Sequence, residues 1–575
     1  MNTFSSRLQR IILISTPTLT TLAISPFSSY DPINLPKMFV LVTGASILAA
    51  PLMVELRSLF TLNSLFLFMT FAFVATLLIA FFRNPTPFSQ QLWGIWGRST
   101  GLLTYIAFII VLLSTILFSF RSEEDILRRI FERLSYFITG YTLIQAGDLD
   151  PINWTQKSMV ATLGNINFMS SFLGLASISF FSRILMEKLP VTSKVHYSIL
   201  TSTNLFLIWL SESIQGIAVF AAGACLVTAF FIRRNSDFMQ VLLWLLFIAP
   251  VGLMLSLGVA GIGPLSILKQ ETVIYRLDYW LAGIAMTREN WLDGVGVDSY
   301  GDYYEQYRDL EAVLRTGPQR VTNTAHNIYL DVSSGAGILA GLTFLSLFGL
   351  ALVRISKNLK RGEFDSSSIA FSGMFVGYFI FSLISINQIG VGVWGFVFMG
   401  YLIGTGARQD LHSNTPKSKE TFGKNRFKES WDAKGKFETS KASRFLLLVA
   451  TLLVGSLGFF SALIPFRTDI NMLSGVKARD FAFMKVVASR VSATTYHREK
   501  FMTLLLDVGR ELEAYEFALS EYERNPRSGI ALRIIAYTEQ APRELRASAL
   551  EQLIERDPNN SELVAYARNL LSQLR

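Results

Sequence analysis

Charge is scarce in this chain. Only 17% of its 575 residues are Asp, Glu, Lys or Arg, against about 25% in an average soluble protein. With 51% hydrophobic residues and a mean hydropathy of +0.39, that shortfall excludes an ordinary soluble enzyme, a disordered chain and a fibrous repeat. The one cysteine, Cys225, excludes an intrachain disulfide and a cysteine-built zinc site. Four histidines in all argue against a His-rich metal cluster. The formal net charge of +9, from 52 Lys+Arg against 43 Asp+Glu, is in such a chain a topology signal before it is a nucleic-acid signal.

Long apolar runs are what the chain has instead. A bilayer core about 30 Å thick takes about 20 mostly apolar residues in a helix. Thirteen stretches meet that length, near 9–28, 36–54, 62–82, 101–120, 130–147, 160–181, 195–211, 216–232, 238–260, 330–353, 368–387, 390–407 and 445–466. The first lacks the small-residue cleavage site of a signal peptide and counts as a span. Lys and Arg then fix the orientation. Arg7 and Arg10, Arg57, the Arg121–Arg129 region, Arg183 to Lys194, Arg233 and Arg234, Arg354 to Arg361, and the 408–444 linker all fall on one side. That side is the cytoplasm, so the N-terminus is cytoplasmic. Arg83 and Arg98 are the exceptions, on the outer side.

The outer side also receives two larger pieces. Residues 261–325 form a loop too long to be a mere connector. Residues 467–575 are charged and helix-patterned, with turns expected at Asn525-Pro526 and Asp557-Pro558. The 32-residue spacing of those prolines resembles tetratricopeptide-type repeats. A small helical cap without a partner is the plainer reading. The expected organisation is a membrane core over 1–407, a basic cytoplasmic linker over 408–444, a last span over 445–466 and an extracytoplasmic helical domain over 467–575.

Four stretches carry residues suited to chemistry. "TNTAHNIYLDVSSGAGILAG" puts His326 and Asn327 where the outer loop re-enters the membrane, followed by Gly335, Gly337 and Gly341. A histidine there exchanges protons near neutral pH, and the glycines admit close approach. Alternatively, His326 is a satisfied interfacial residue and the glycines only pack helices. "YRLDYWLAGIAMTRENWLDGVGVDSY" places Arg276, Trp280 and Gly283 on one helical face, broken afterwards by Gly294 and Gly296. Arginines held near a membrane suit a bidentate grip on phosphate. Arg288, Arg308, Arg315 and Arg320 follow, and simple solvation is the plain reading for Arg288, Arg308 and Arg315. Acidic residues are as frequent there, so this is no nucleic-acid patch. Asn165 and Asn167 begin the sixth span, and Glu212, Ser213 and Gln215 lie between the seventh and eighth. Polar groups at such depth usually face a cavity or ligand, with helix capping as the ordinary alternative.

Together these stretches resemble the O-antigen ligase superfamily of bacterial membrane glycosyltransferases. That group includes lipopolysaccharide ligases, O-antigen polymerases and protein O-oligosaccharyltransferases. The family's His followed by Asn, Ser or Gln, nine residues and Gly-x-x-Gly is matched by His326, Asn327 and Gly337, with Ala340 at the second glycine position and Gly341 beside it. Its Arg, Trp and later G-x-G correspond to Arg276, Trp280, Gly294 and Gly296, and "GNIN" at 164–167 resembles its Gly…Asn-x-Asn. Where the family often has Ser-Arg-Gly, this chain has Ile214-Gln215-Gly216. Either another basic residue such as Arg288 or Arg320 takes that role, or the donor is held differently. The resemblance covers roughly residues 36–405, most specifically 160–341.

The resemblance implies an all-α polytopic membrane protein of about 13 spans, GT-C-like, in the cytoplasmic (inner) membrane. Its C-terminal tetratricopeptide-like domain would be extracytoplasmic. It implies transfer of a glycan from a polyprenyl-diphosphate-linked donor to an acceptor hydroxyl at the outer face, inverting and without cofactor or metal. His326 and Arg276 are then catalytic. Asn327, Gln215, Arg288, Arg320, Asn165, Asn167 and Trp280 bind substrate. The acceptor is a lipid, a glycan or a protein, so ligase, polymerase and protein O-oligosaccharyltransferase are all open. A partner protein binding through 467–575 is a further expectation. A transporter would show inverted repeats and midplane charges, and a scaffold would make the outer loop dispensable.

Overall fold

The computed structural model describes residues 3–122, 125–152, 154, 158–362, 364–413 and 441–574. Within those residues every regular element is helical. Ten helices are long and apolar enough to cross a membrane: Asn34–Val54, Ser64–Arg83, Leu102–Arg121, Ile166–Met186, Ile214–Asn235, Phe238–Val259, Ile338–Arg361, Ser366–Ile384, Ile389–Leu411 and Phe445–Ala478. The chain is a multi-pass α-helical membrane protein.

Ten of the thirteen expected spans are met by these helices. Three expected spans form as helices of 20 to 21 residues, Thr3–Leu22, Ile126–Ala146 and Val191–Leu210, but do not meet the apolarity of the other ten. In Ile126–Ala146 the cause is visible. Arg128, wholly buried, donates to Glu132 at 3.1 Å and Glu187 at 3.0 Å, and Arg183 donates to Glu132 at 2.8 Å. Paired charges replace apolar residues in the first turns of this helix, because buried charge persists only when paired. Residues 414–440 of the expected linker lie outside the described residues.

Packing is densest around Ile389–Leu411, which the other helices enclose completely. Trp394 and Phe396 on it are sealed from solvent. Helices Ile166–Met186 and Ile214–Asn235 approach backbone to backbone, since a Cβ at Gly174 would stand 2.7 Å from the Gly216 carbonyl oxygen. Small residues permit such approaches between membrane helices. By contrast, Phe238–Val259 buries little of its surface, as expected of a helix facing lipid.

Two boundaries differ from expectation in ways that position the site. The stretch expected as one span over 330–353 breaks at Gly337, whose φ of +85° no helix interior holds. Its first part is a separate helix, Ile328–Ala336. The last span runs on well past 466, within a helix of 38 residues, Lys441–Ala478. At 1.5 Å per residue it is about 57 Å long, almost twice the hydrocarbon thickness.

The extension carries Asp469, wholly buried. Its carboxylate accepts from His497 Nε2 at 2.9 Å, Trp96 Nε1 at 3.1 Å and the Asp31 amide at 3.0 Å. Six further helices follow, from Phe481–Ala488 to Ser561–Leu574, each packed on the next. Asn525-Pro526 and Asp557-Pro558 end helices Glu511–Arg524 and Arg543–Arg556, as expected. This tail rests on the loop over 261–325. Arg308 donates twice to Asp557 at 2.8 Å, Arg556 donates to Glu305 at 2.8 Å, and Arg527 stacks over Tyr303 at 3.9 Å. Arg308 is therefore a buried ion-pair partner, not a solvated side chain. Arg315 is also paired, with Asp278 at 2.5 Å.

Candidate active site

Two glycine-rich turns build the site by interlocking. The helix Glu271–Glu289 ends, and the chain turns through Gly294 and Gly296, at φ +68° and +111°. The Val295 and Gly296 amides then donate to the carbonyls of Ser334 and Gly335 at 2.8 and 3.0 Å. The Ile338 amide donates to the Trp291 carbonyl at 2.9 Å. A Cβ at Gly294 would lie 2.4 Å from Gly335 backbone, and one at Gly337 would lie 2.4 Å from the Leu292 carbonyl oxygen. Only glycine fits both positions. The two motifs are halves of one backbone joint, which holds helix Glu271–Glu289 against helix Ile328–Ala336.

That joint brings His326 to the loop helix. Its ring lies against Tyr279, centroids 5.6 Å apart and planes at 32°. The backbone of His326 is left-handed, φ +51°, a strained choice for a non-glycine residue and one often found at functional sites. Burial, and then the positive charges of Arg276 and Arg98, push its pKa down to about 3. Its surroundings thus favour the neutral imidazole.

Arg276, one helical turn before Tyr279, is half-buried, and the group acting on its charge is the Tyr279 phenol, not a carboxylate. Burial lowers its pKa. Arg320 is exposed, with its guanidinium 4.2 Å over the Tyr275 ring on the same helix. Its charge also reaches the Tyr279 phenol. Trp280 Nε1 is buried without a hydrogen-bond partner among the described residues. Hence His326, Arg276, Arg320 and the helix bearing Trp280 come together. Arg288 does not join them. It is exposed and stands twelve residues beyond Arg276 on the helix, about 18 Å along the axis.

The other expected residues hold positions of their own. Asn327 caps helix Ile328–Ala336, accepting from the Tyr329 and Leu330 amides at 3.0 and 3.1 Å. Asn165 caps Ile166–Met186, accepting from the Asn167 amide at 2.8 Å. Asn167 accepts from Ser213 Oγ at 2.8 Å. Gln215, 3% exposed, has no partner for either polar side-chain atom among the described residues. None of these four hydrogen-bonds His326 or Arg276 among the described residues.

Sequence reasoning missed a second set of residues. A small cavity, about 30 Å³, is lined by Thr324, two residues before His326, and among others by Arg98, Asp298, Tyr300, Asn323, Asp331 and Asn387. Arg98 Nε donates to Asn323 Oδ1 at 3.1 Å. Asp298 accepts from the Ile95 amide at 2.8 Å and from Thr100 Oγ1 at 3.1 Å, and burial pushes its pKa up to about 6. Asp331 accepts from the Ala325 amide at 2.6 Å. Burial first, and Asp298 second, push its pKa up to about 8, against the opposing Ala325 hydrogen bond and Arg98 charge. Two signals pointed here: Arg98 is an exception to the expected Lys and Arg bias of the loops, and Asp331 is the one carboxylate in an apolar segment.

Comparison with known proteins bears on this same region. Residues 199–345 match a family model described as O-antigen ligase. The match contains Gln215, Arg276, Trp280, Arg288, Arg320, His326, Asn327 and Asp331, while Arg98, Asn165 and Asn167 fall outside it. No curated protein matches the chain.

Proposed function

On the premise that this chain is a member of the O-antigen ligase superfamily through residues 199–345, we propose that it transfers a glycan from a polyprenyl-diphosphate carrier to an acceptor hydroxyl. The reaction takes place at the outer face of the cytoplasmic membrane. The observation that carries this reading is an unpaired guanidinium, Arg276, held beside a neutral imidazole, His326. A cation without a carboxylate partner in a partly desolvated setting is suited to an anionic ligand. The diphosphate gains charge as it leaves, so Arg276 stabilises the transition state more than the ground state. Arg320, stacked on Tyr275, supplies a second cation toward the exposed side.

His326 orients the reacting groups by hydrogen bonds. Its proton affinity is low while Arg276 and Arg98 act on it alone. A bound diphosphate offsets their charge and raises that affinity. Trp280 offers its indole N–H to a ligand oxygen, and Asn327 has its side-chain nitrogen left over after capping. Displacement by the acceptor inverts the anomeric centre and needs no metal on this reading. The tail over 467–575, ion-paired to Glu305 and Arg308, holds the outer loop in place and is the surface a partner protein would meet.

Purified protein, a lipid-linked glycan and an acceptor, combined in chelator, test the proposal. Product formation that His326→Ala and Arg276→Ala each abolish supports it. Transfer restored only by magnesium or manganese would remove the metal-independent step.

A further inference from the structure

The geometry points to one more catalytic residue for this reaction: we propose that Asp331 takes the proton of the attacking acceptor hydroxyl, which sits in the cavity between Asp331, Arg98 and Tyr300. The inference rests on the glycan-transfer reading above.

The cavity argues for this by its size and its lining. About 30 Å³ has room for one or two water-sized groups. Hydrogen-bonding groups face it on several sides. The amide oxygen and nitrogen of Asn387, 7% exposed, make no hydrogen bond of good geometry among the described residues, although the Tyr105 hydroxyl lies close. A buried amide without partners is costly, and a hydroxyl in the cavity would satisfy it. Asp331 has one oxygen on the Ala325 amide and no other hydrogen bond among the described residues, so it retains acceptor capacity.

Division of labour follows from the charges. His326 stands beside two arginines, which suits it to orient and disfavours its holding a proton. Asp331 stands beside Asp298, which favours proton uptake, while Arg98 keeps part of the carboxylate ionised. The ionisable groups turned toward Asp331 are Asp298 from the turn after Glu271–Glu289, Arg98 from the loop before Leu102–Arg121, Tyr105 from that helix, and Tyr300 from helix Tyr300–Tyr307. A carboxyl group with its pKa raised toward the working pH is an effective general base. In the step itself, the acceptor O–H gives its proton to the Asp331 carboxylate. Its oxygen forms the bond to the anomeric carbon, and the carbon–oxygen pair of the old bond leaves with the diphosphate. Asp331 then returns the proton to water.

Asp331→Asn in the full chain, reconstituted in vesicles with the lipid-linked glycan and acceptor, tests this. Transfer falls by about 100-fold or more, as loss of a general base entails, while donor binding stays within about threefold and Asp331→Glu recovers part of the rate. Transfer by Asp331→Asn within about threefold of wild type overturns the inference. If that variant does not fold, the wild-type pH profile decides. A rate that rises through one ionisation, with a midpoint that Arg98→Gln moves upward, supports it; a profile flat from about pH 5.5 to 9 overturns it. Wild-type protein that leaves the lipid-linked donor untouched overturns the glycan-transfer reading and this inference with it. An active Asp331→Asn overturns the inference alone.

Discussion

The His326 ring packs against the Tyr279 ring, centroids 5.6 Å apart, and this contact sets the imidazole one helical turn from Arg276. Aromatic pairs of this kind are worth about 0.5–1.5 kcal/mol beyond their burial. Tyr279→Phe keeps the ring and should transfer glycan within about threefold of wild type. Tyr279→Ala removes it and should lose about tenfold, the rate equivalent of about 1.4 kcal/mol. Initial rates on the two variants check this; equal loss in both would assign the effect to the hydroxyl.

The joint between Gly294 and Gly337 should tolerate no side chain. Gly337 has φ +85°, and its Cβ would meet the Leu292 carbonyl oxygen at 2.4 Å. Gly337→Ala therefore separates the loop helix from helix Ile328–Ala336, with loss of transfer and of thermal stability. Gly349 has open space around its Cβ position, so Gly349→Ala is the control and should leave both unchanged.

Arg308 and Asp557 form a buried pair between the loop over 261–325 and the tail. Removing one member leaves the other charge buried and unpaired, a loss of about 3–5 kcal/mol. Asp557→Ala and Arg308→Ala should each lower the thermal midpoint, and the double variant should be less destabilised than the sum of the two. A double-mutant cycle in detergent or nanodiscs reads this directly. Strict additivity would show that the pair does not tie the tail to the loop.

Acid should weaken the fold through His326. Its folded pKa of about 3 lies below the ordinary 6.5. Between those values the unfolded chain binds a proton that the folded chain refuses. The stabilisation is therefore complete above 6.5 and is lost as pH falls toward 3. Asp331 and Asp298, with raised pKa values, act in the other direction: their contribution is complete below 3.8 and is lost as pH rises through about 6 and 8. Thermal midpoints of wild type and His326→Gln between pH 7 and 5 isolate the histidine. The variant should show the shallower decline on acidification.

Much of this was legible in the sequence because spans and charge bias are long-range averages. Each of the thirteen expected stretches contains a helix. Helix Ile126–Ala146 is less apolar than most because polar residues there are buried by pairing, as with Glu132 and Arg183, 51 residues apart, and composition cannot see so distant a partner. The break at Gly337 was hidden for a related reason: an apolar stretch with three glycines reads equally as a span or as a joint until its docking strand, Trp291 to Gly296, is placed. His326 and Arg276 were legible through motif chemistry. Arg98 and Asp331 were not, because their company comes from folding together residues near 98, 298 and 331. Arg98 did register as an exception on the outer side, and that exception was informative.

On the proposed reading, Arg276 and His326 act together on a lipid-linked glycan. The measurement that tests it most directly is single-turnover transfer from a purified polyprenyl-diphosphate glycan by wild type, Arg276→Ala, His326→Ala and Arg288→Ala. The expected result is loss of about 100-fold or more for the first two variants, in keeping with removal of a charge-stabilising donor, and near-normal transfer for Arg288→Ala. Near-normal transfer by Arg276→Ala and His326→Ala would contradict the account.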